Sequence, residues 1–175
     1  TNDKRVLVLI IGWCFGGFME GMAGFGTAVA IPASILVGLG FDPILAAVLC
    51  LVANATPTAF GSVGIPTVTA ATVTGLDGHS LAIAVVAQLL LMVVVTPFIM
   101  MIMLGHGVKG LQCIVPITLI SGVSFCGIAL VTAFFAGATL PVFTGSFGSL
   151  LITYLPAQDM VHAAPPDSQI VSHGL

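Results

Sequence analysis

Glu20 is a carboxylic acid set inside an apolar, glycine-interrupted stretch, "FMEGMAGFGTAVAIP" over 18–32. An ionised acid at the centre of a membrane helix costs about 2.5–3.5 kcal/mol. Neutralising the group removes most of that cost, so an acid in such a place readily takes up and releases a proton. That is the property a proton-coupled carrier needs. Two blander readings stand beside it: Glu20 at the wet end of a helix, or Glu20 in a structural hydrogen bond to the glycine-rich backbone. A second constellation, Asn54, Thr56 and Thr58, lies in "VANATPTAFGSVGIPT". Asparagine offers an acceptor and two donors, and threonine a hydroxyl. Pro57 withholds a backbone N–H, while Gly61, Gly64 and Pro66 interrupt the segment further. A helix broken here exposes amides at the N-terminal end of one half, and such amides attract a carboxylate. The bland reading of these residues is glue between helices.

Little other chemistry is visible. Gln88, alone in "VVAQLLL", reads as an interhelical hydrogen-bonding residue. His79 and His106 fall in loops and His162 and His173 in the tail, none near Glu20 in sequence, so nothing supports a proton relay through histidine. Cys14, Cys50, Cys113 and Cys126 each lie in an apolar run, with no C-x-x-C pair and no histidine at ligand spacing. They read as free, buried thiols, and no metal or other cofactor is expected. There is no G-x-S-x-G and no H-E-x-x-H, so the chain does not read as an enzyme. No basic run exists to bind the phosphates of a nucleic acid.

The elements that must position Glu20 and Asn54 are membrane helices. The chain has 175 residues, 58% hydrophobic and 5% charged, with three basic and six acidic side chains. Its mean hydropathy is +1.24. A soluble domain carries about 25% charged residues and needs them to cover its surface. The class is therefore an all-α polytopic membrane protein, in contact with a lipid bilayer. A straight span needs about 20 apolar residues. Leu81 to Leu104 and Leu111 to Ala136 meet this plainly, with the short loop "GHGVKG" between them. Pro97 and Pro116 are expected to kink them. The first segment, from Val6, spans if Glu20 and beyond extend it. "DKR" followed by "VLVLIIGWCF" has the form of a signal peptide, but the apolar segments that follow make it a retained span.

From Glu20 to Pro66 the pattern changes. The piece from Thr27 to Gly40 reaches roughly 21 Å at the helical rise per residue, short of the ~30 Å hydrocarbon core. "GFDP" is a turn, with Asp42 capping a helix that starts at Pro43 and runs to about Ala53. These features predict a re-entrant hairpin over about 20–39 and a helix broken near 54–66. Broken backbone at membrane depth is tolerated where it is buried in protein or lines a cavity. Small-residue helix packing is the plainer explanation of the glycines taken singly. "TLPVFTGSFGSLLITYLP", 139–156, reads as a surface-lying helix or half of a span. The expected organisation is one transmembrane region over 1–156 and a polar, loose tail over 157–175. The start at Thr1 and the polar end read as a piece of something longer. Lys4 and Arg5 point to the cytoplasm. If the hairpin re-enters and the broken helix crosses, "TGLDGHS" returns to the side of Lys4 and Lys109 sits opposite.

The two broken segments also carry a family likeness. Glu20, Gly21 and Ala23 to Gly26, then Val37 to Phe41, then Asn54, Pro57, Phe60, Gly61, Gly64 and Pro66 occur in the order of three motifs: E-G-x-A-G-F-G, V-G-L-G-F and N-x-x-P-x-x-F-G-x-x-G-x-P. On these residues the chain resembles the bacterial L-lactate permease family, most specifically over 12–78 and weakly after about 137. Ala28 departs from the pattern, standing where proline often follows. The resemblance implies a secondary active transporter importing L-lactate, and related 2-hydroxymonocarboxylates such as glycolate or D-lactate, by proton symport across the bacterial inner membrane. It also implies re-entrant hairpins and discontinuous helices in a much longer protein. In the site expected on this basis, Glu20 carries the coupled proton. Asn54, Thr56 and Thr58 hold the substrate, with Asn54 reading its 2-hydroxyl, and the backbone of Gly24, Phe25, Gly26 and Thr27 forms the facing wall. Pro57, Gly61, Gly64 and Pro66 make the helix break. A monocarboxylate or anion channel and a structural membrane subunit are the alternatives, and a homo-oligomer stays open.

Overall fold

A computed structural model describes residues 4–24, 26–106 and 115–163. Among them the chain is helical and contains no strand. Helix α1 covers Lys4–Met22, with π-helical winding over Val8–Phe15. Helices α2, Thr27–Gly38, and α3, Pro43–Asn54, are too short to cross a bilayer. A 3-10 turn, Pro57–Phe60, leads into α4, Gly61–Thr74, and the α3–α4 pair is bent by 57°. Helices α5, Gly78–Met101, and α6, Val115–Ala136, are full spans, α5 continuing as π-helix to His106. Helix α7 is Pro141–Ala163. The chain is an all-α polytopic membrane protein in which α1, α5 and α6 are each long and apolar enough to cross a bilayer and the bent α3–α4 pair is a helix that breaks.

Local chemistry sets the helix starts. Asp42 Oδ1 accepts from the Leu45 amide at 2.9 Å, and Pro43 occupies the first turn of α3, where its missing N–H costs nothing. Asp77 does the same for α5. Its Oδ2 accepts from the amide and the hydroxyl of Ser80, each at 2.8 Å, and the Ser80 backbone amide holds this carboxyl below the usual carboxylate range.

The hairpin runs differently from the expectation. Gly16 of α1 packs against Ala28 O and Pro32 of α2, and Lys4 Nζ lies 5.7 Å from the Phe41 ring. Helix α2 therefore returns antiparallel to α1, back to the side of Lys4. The hairpin is α1 and α2 together, its tip the break at 23–26, rather than a loop over 20–39 dipping in from the far side. Helices α3 and α4 then make the crossing, so 75–78 faces the side opposite Lys4, not the same side. Gly12 on Met100 and Gly137 on His79 fix the direction of α5, whose C-terminal end comes back to the Lys4 side. Lys109 lies outside the described residues.

Three further expectations change. The 139–156 segment does not lie on the surface, and its apolar part, Pro141–Leu155, is a helix shorter than a span. It belongs to α7, antiparallel to α6 through Thr132–Thr144 at 2.7 Å and Ser121–Ser149 at 3.1 Å, and its helix continues past Pro156. Gln88 is exposed on α5 instead of lying between helices. Pro97 lies inside α5, but Pro116 stands in the first described turn of α6. Cys14, Cys50 and Cys126 are free and buried, and Cys113 lies outside the described residues.

Candidate functional site

Depth decides whether Glu20 is a wet helix end. Gly17 of α1 packs on the Phe125 ring, at the middle of the 22-residue helix α6. Glu20 stands one turn further along α1. It lies roughly 10 Å short of the end of α6 at the helical rise per residue. Helix α1 thus ends inside the layer that α5 and α6 define, and Glu20 is 2% exposed.

The two broken segments meet at this depth. Ser62 Oγ donates to Ala23 O at 2.8 Å, joining the start of α4 to the hairpin tip. A Cβ added at Gly61 would overlap Glu20 Oε1 and stand 3.0 Å from its Cδ. Glycine is the residue that lets the α4 backbone lie against the carboxyl. The Asn54 side chain faces Glu20 from the last residue of α3. Two acceptors there, Glu20 Oε2 and Asn54 Oδ1, are buried without a hydrogen-bond partner.

Broken backbone leaves carbonyls that must be satisfied in a medium without water. Hydroxyls do this here. Thr58 Oγ1 donates to Asn54 O at 2.5 Å, Thr67 Oγ1 to Ala59 O at 2.6 Å, and Ser62 to Ala23 O as above. Thr56 is buried and pairs with Thr96 on α5 at 2.9 Å, and the Thr96 hydroxyl also reaches Met92 O. Thr56 and Thr58 are thus engaged with α5 and with backbone, not gathered round Glu20. Ser62, Thr67 and Thr96 escaped the sequence reading. The signal for the first two was their place beside Gly61 and Pro66.

Polarity gives a second result. Asn54 is the last residue of α3, where the helix dipole is negative and repels a carboxylate, and Thr58 lies in the 3-10 turn that follows. The N-terminal ends at this depth belong to α2 and α4. Gly26, with φ +97°, caps α2 without any side chain, so the first-turn amides of α2 at Thr27 and beyond lack a side-chain acceptor. Phe25 lies outside the described residues. Pro66 lies inside α4 and Pro57 starts the 3-10 turn.

The start of α4 is strained. Ser62, Val63 and Gly64 take left-handed φ values of 46°, 59° and 77°. Gly64 suits this conformation, and a Cβ there would overlap Ala138 O. For the β-branched Val63 it is an outlier, with a cost of about 1–2 kcal/mol. Val63 is exposed, so Val63→Gly removes strain without emptying the core. The expected outcome is a stabilisation of about 1 kcal/mol, read as a higher Tm in detergent. An unchanged or lower Tm refutes it.

The sequence profile of the L-lactate permease family matches residues 1–164. The L-lactate permease of Streptococcus iniae is 49% identical over 155 residues, covering 89% of this chain and 33% of that protein. The L-lactate permease of Escherichia coli K12 is 43% identical over 151 residues, 86% of this chain and 27% of that protein. The glycolate permease GlcA of the same organism is 42% identical over 151 residues, again 86% and 27%. The chain spans a third or less of the length of these relatives. No solved structure matches.

Proposed function

The chain belongs to the L-lactate permease family, and from that premise we propose that it forms the Glu20-bearing part of a secondary carrier importing L-lactate, or a related 2-hydroxymonocarboxylate such as glycolate, by proton symport across the bacterial inner membrane. The observation that carries the reading is the pair of orphaned acceptors, Glu20 Oε2 and Asn54 Oδ1, side by side at depth. Acceptors call for donors. A proton on Glu20 supplies one, and the 2-hydroxyl of the substrate supplies the other. The substrate carboxylate, which brings only acceptors, is directed to the N-terminal end of α2 at Gly26 and Thr27, which no side chain caps and where the Thr27 amide donates to Gly24 O at 3.2 Å. A helix N-terminus is worth up to about 2 kcal/mol to an anion in a partly buried place. Thr56 and Thr58 then hold the helix break in shape and do not touch the carboxylate. One proton and one monocarboxylate make a neutral cargo, so the loaded site carries the same single negative charge as the empty site with ionised Glu20, and import moves no net charge across the bilayer. The α1–α2 hairpin and the α3–α4 pair are the discontinuous elements whose relative movement exposes the site alternately.

The test is uptake of labelled lactate by the full-length protein in vesicles, with and without an imposed pH gradient. Saturable accumulation against a lactate gradient, driven by acid outside, is expected. Flux that only dissipates a gradient makes the protein a channel, and no flux leaves a structural subunit. Asn54→Ala is expected to narrow the preference for lactate over propionate, which lacks the hydroxyl, by about tenfold, the size of one well-placed hydrogen bond. An equal loss for both acids assigns Asn54 to packing instead.

A further inference from the structure

A second polar assembly lies away from this site, on the seam where α1, α6 and α7 meet. Cys14, Thr118, Ser121, Ser146, Ser149 and Thr153 are all buried there. Cys14 Sγ lies 3.5 Å from Ser121 Oγ and 3.7 Å from Ser149 Oγ, and those two hydroxyls are 3.1 Å apart. Ser149 Oγ also reaches Ser121 O at 2.9 Å. Thr153 faces the same sulfur. Ser146 stands at the upper end of the row, its Cβ 3.3 Å from where a Cβ on Gly17 would stand, one turn of α1 before Glu20, and its hydroxyl donates back to Val142 O at 2.6 Å. Thr118 and Thr153 carry it downward, towards the side of Lys4.

Packing alone does not account for this row. Helical hydroxyls in this chain usually bond back to the carbonyl four residues earlier, as Thr72, Thr132 and Thr144 do. The Thr118 oxygen has no hydrogen-bond partner among the described residues, and that of Thr153 none but the Cys14 sulfur it faces, although both side chains are fully buried. Valine would fill the same space without the desolvation cost of an unpaired hydroxyl. Of the other buried unpaired side-chain atoms, two belong to the Glu20–Asn54 site, and the last, Trp13 Nε1, is on a ring packed against Phe125 beside the seam. Unpaired polar capacity is thus concentrated in the site and along one line leading away from it.

We propose that this seam is the route by which the coupled proton passes between Glu20 and the membrane face on the Lys4 side, hydroxyls and intervening water relaying it. The proposal rests on the reading of Glu20 as the proton carrier. Each hydroxyl accepts a proton on one lone pair as it releases its own to the next acceptor, so no charge and no bond change remains behind. Thr118 and Thr153, with free capacity, are the positions where water joins the row. Cys14 is the one titratable side chain in it.

The experiment uses the full-length carrier in proteoliposomes with an internal pH dye, and compares Thr118→Val/Thr153→Val with native protein. Lactate-driven proton uptake and accumulation driven by a pH gradient are expected to slow at least about tenfold. Lactate–lactate exchange at equal pH is expected to stay within about twofold, because the proton remains on Glu20 while substrate turns over. Thr118→Ser/Thr153→Ser keeps the hydroxyls and is expected to keep both fluxes. Native proton flux in the valine pair overturns the route, and so does an equal fall in both fluxes, which marks a packing role. Glu20→Gln is run in parallel. If it stops accumulation while the valine pair runs at the native rate, the route alone fails. If Glu20→Gln itself accumulates lactate, the proton role of Glu20 falls and the route with it.

Discussion

Replacing Glu20 with glutamine is expected to reduce proton-driven lactate accumulation by about a hundredfold or more, because an amide at that depth neither binds nor releases the coupled proton. Glutamine has nearly the volume of glutamate, so the space against Gly61 is kept. Its amide can still meet Asn54, which faces the carboxyl in the native protein. Burial of the neutral side chain is cheaper than burial of the ion, so the variant should fold as well as the native protein or better. The loss therefore belongs to coupling. Lactate–lactate exchange, which needs no net proton movement, should continue. The measurement is accumulation, exchange and Tm on one preparation. Accumulation at the native level would remove Glu20 from the mechanism, while a collapse of Tm would make it a structural acid.

Gly61→Ala should have the next largest effect. The added Cβ overlaps Glu20 Oε1, and the side chain has little freedom to retreat, being 2% exposed under α3 and α4. Overpacking of this kind costs about 1–3 kcal/mol. Either the carboxyl moves away from Asn54 or α4 moves away from α1, and each outcome disassembles the site. Transport should fall at least tenfold, about 1.4 kcal/mol in rate terms, and Tm should fall with it. Adding Glu20→Ala to Gly61→Ala removes the overlap. The double variant should recover Tm but not accumulation. Native transport and Tm in Gly61→Ala would show that α4 does not lie against Glu20. Failure of the second substitution to restore Tm would place the strain elsewhere, for instance in the left-handed turn over Ser62 to Gly64.

Much of this protein was legible in one dimension because the bilayer imposes a one-dimensional test. Nine charged side chains among 175 residues settle the class, and runs such as Leu81 to Leu104 settle the spans. Asp42 before Pro43 marks a helix start, since capping needs only neighbours in sequence. The glycines and prolines of 20–66 mark broken backbone for the same reason: each acts on its own dihedrals and its own N–H. An acid and an asparagine within those breaks were enough to single out Glu20 and Asn54, which the fold brings together, though not what surrounds them.

What the tertiary structure decided is direction and pairing. Whether the helix after Glu20 continues or turns back depends on Gly16 meeting Ala28 and Pro32, a contact between residues far apart along the chain. That contact sends α2 back to Lys4 and so decides on which side of the layer α3 begins, although Asp42 and Pro43 already made Asn54 the C-terminal end of a helix in sequence. The hydroxyls of Thr58, Ser62 and Thr67 could not be sorted into binding and capping roles until the freed carbonyls had positions. The row from Ser146 to Thr118 is likewise invisible in sequence, because its members come from three helices and only packing sets them on one line. Hydropathy and local dihedral preference are properties of a residue and its neighbours, whereas a site is a property of surfaces in contact, and those surfaces exist only once the helices have met.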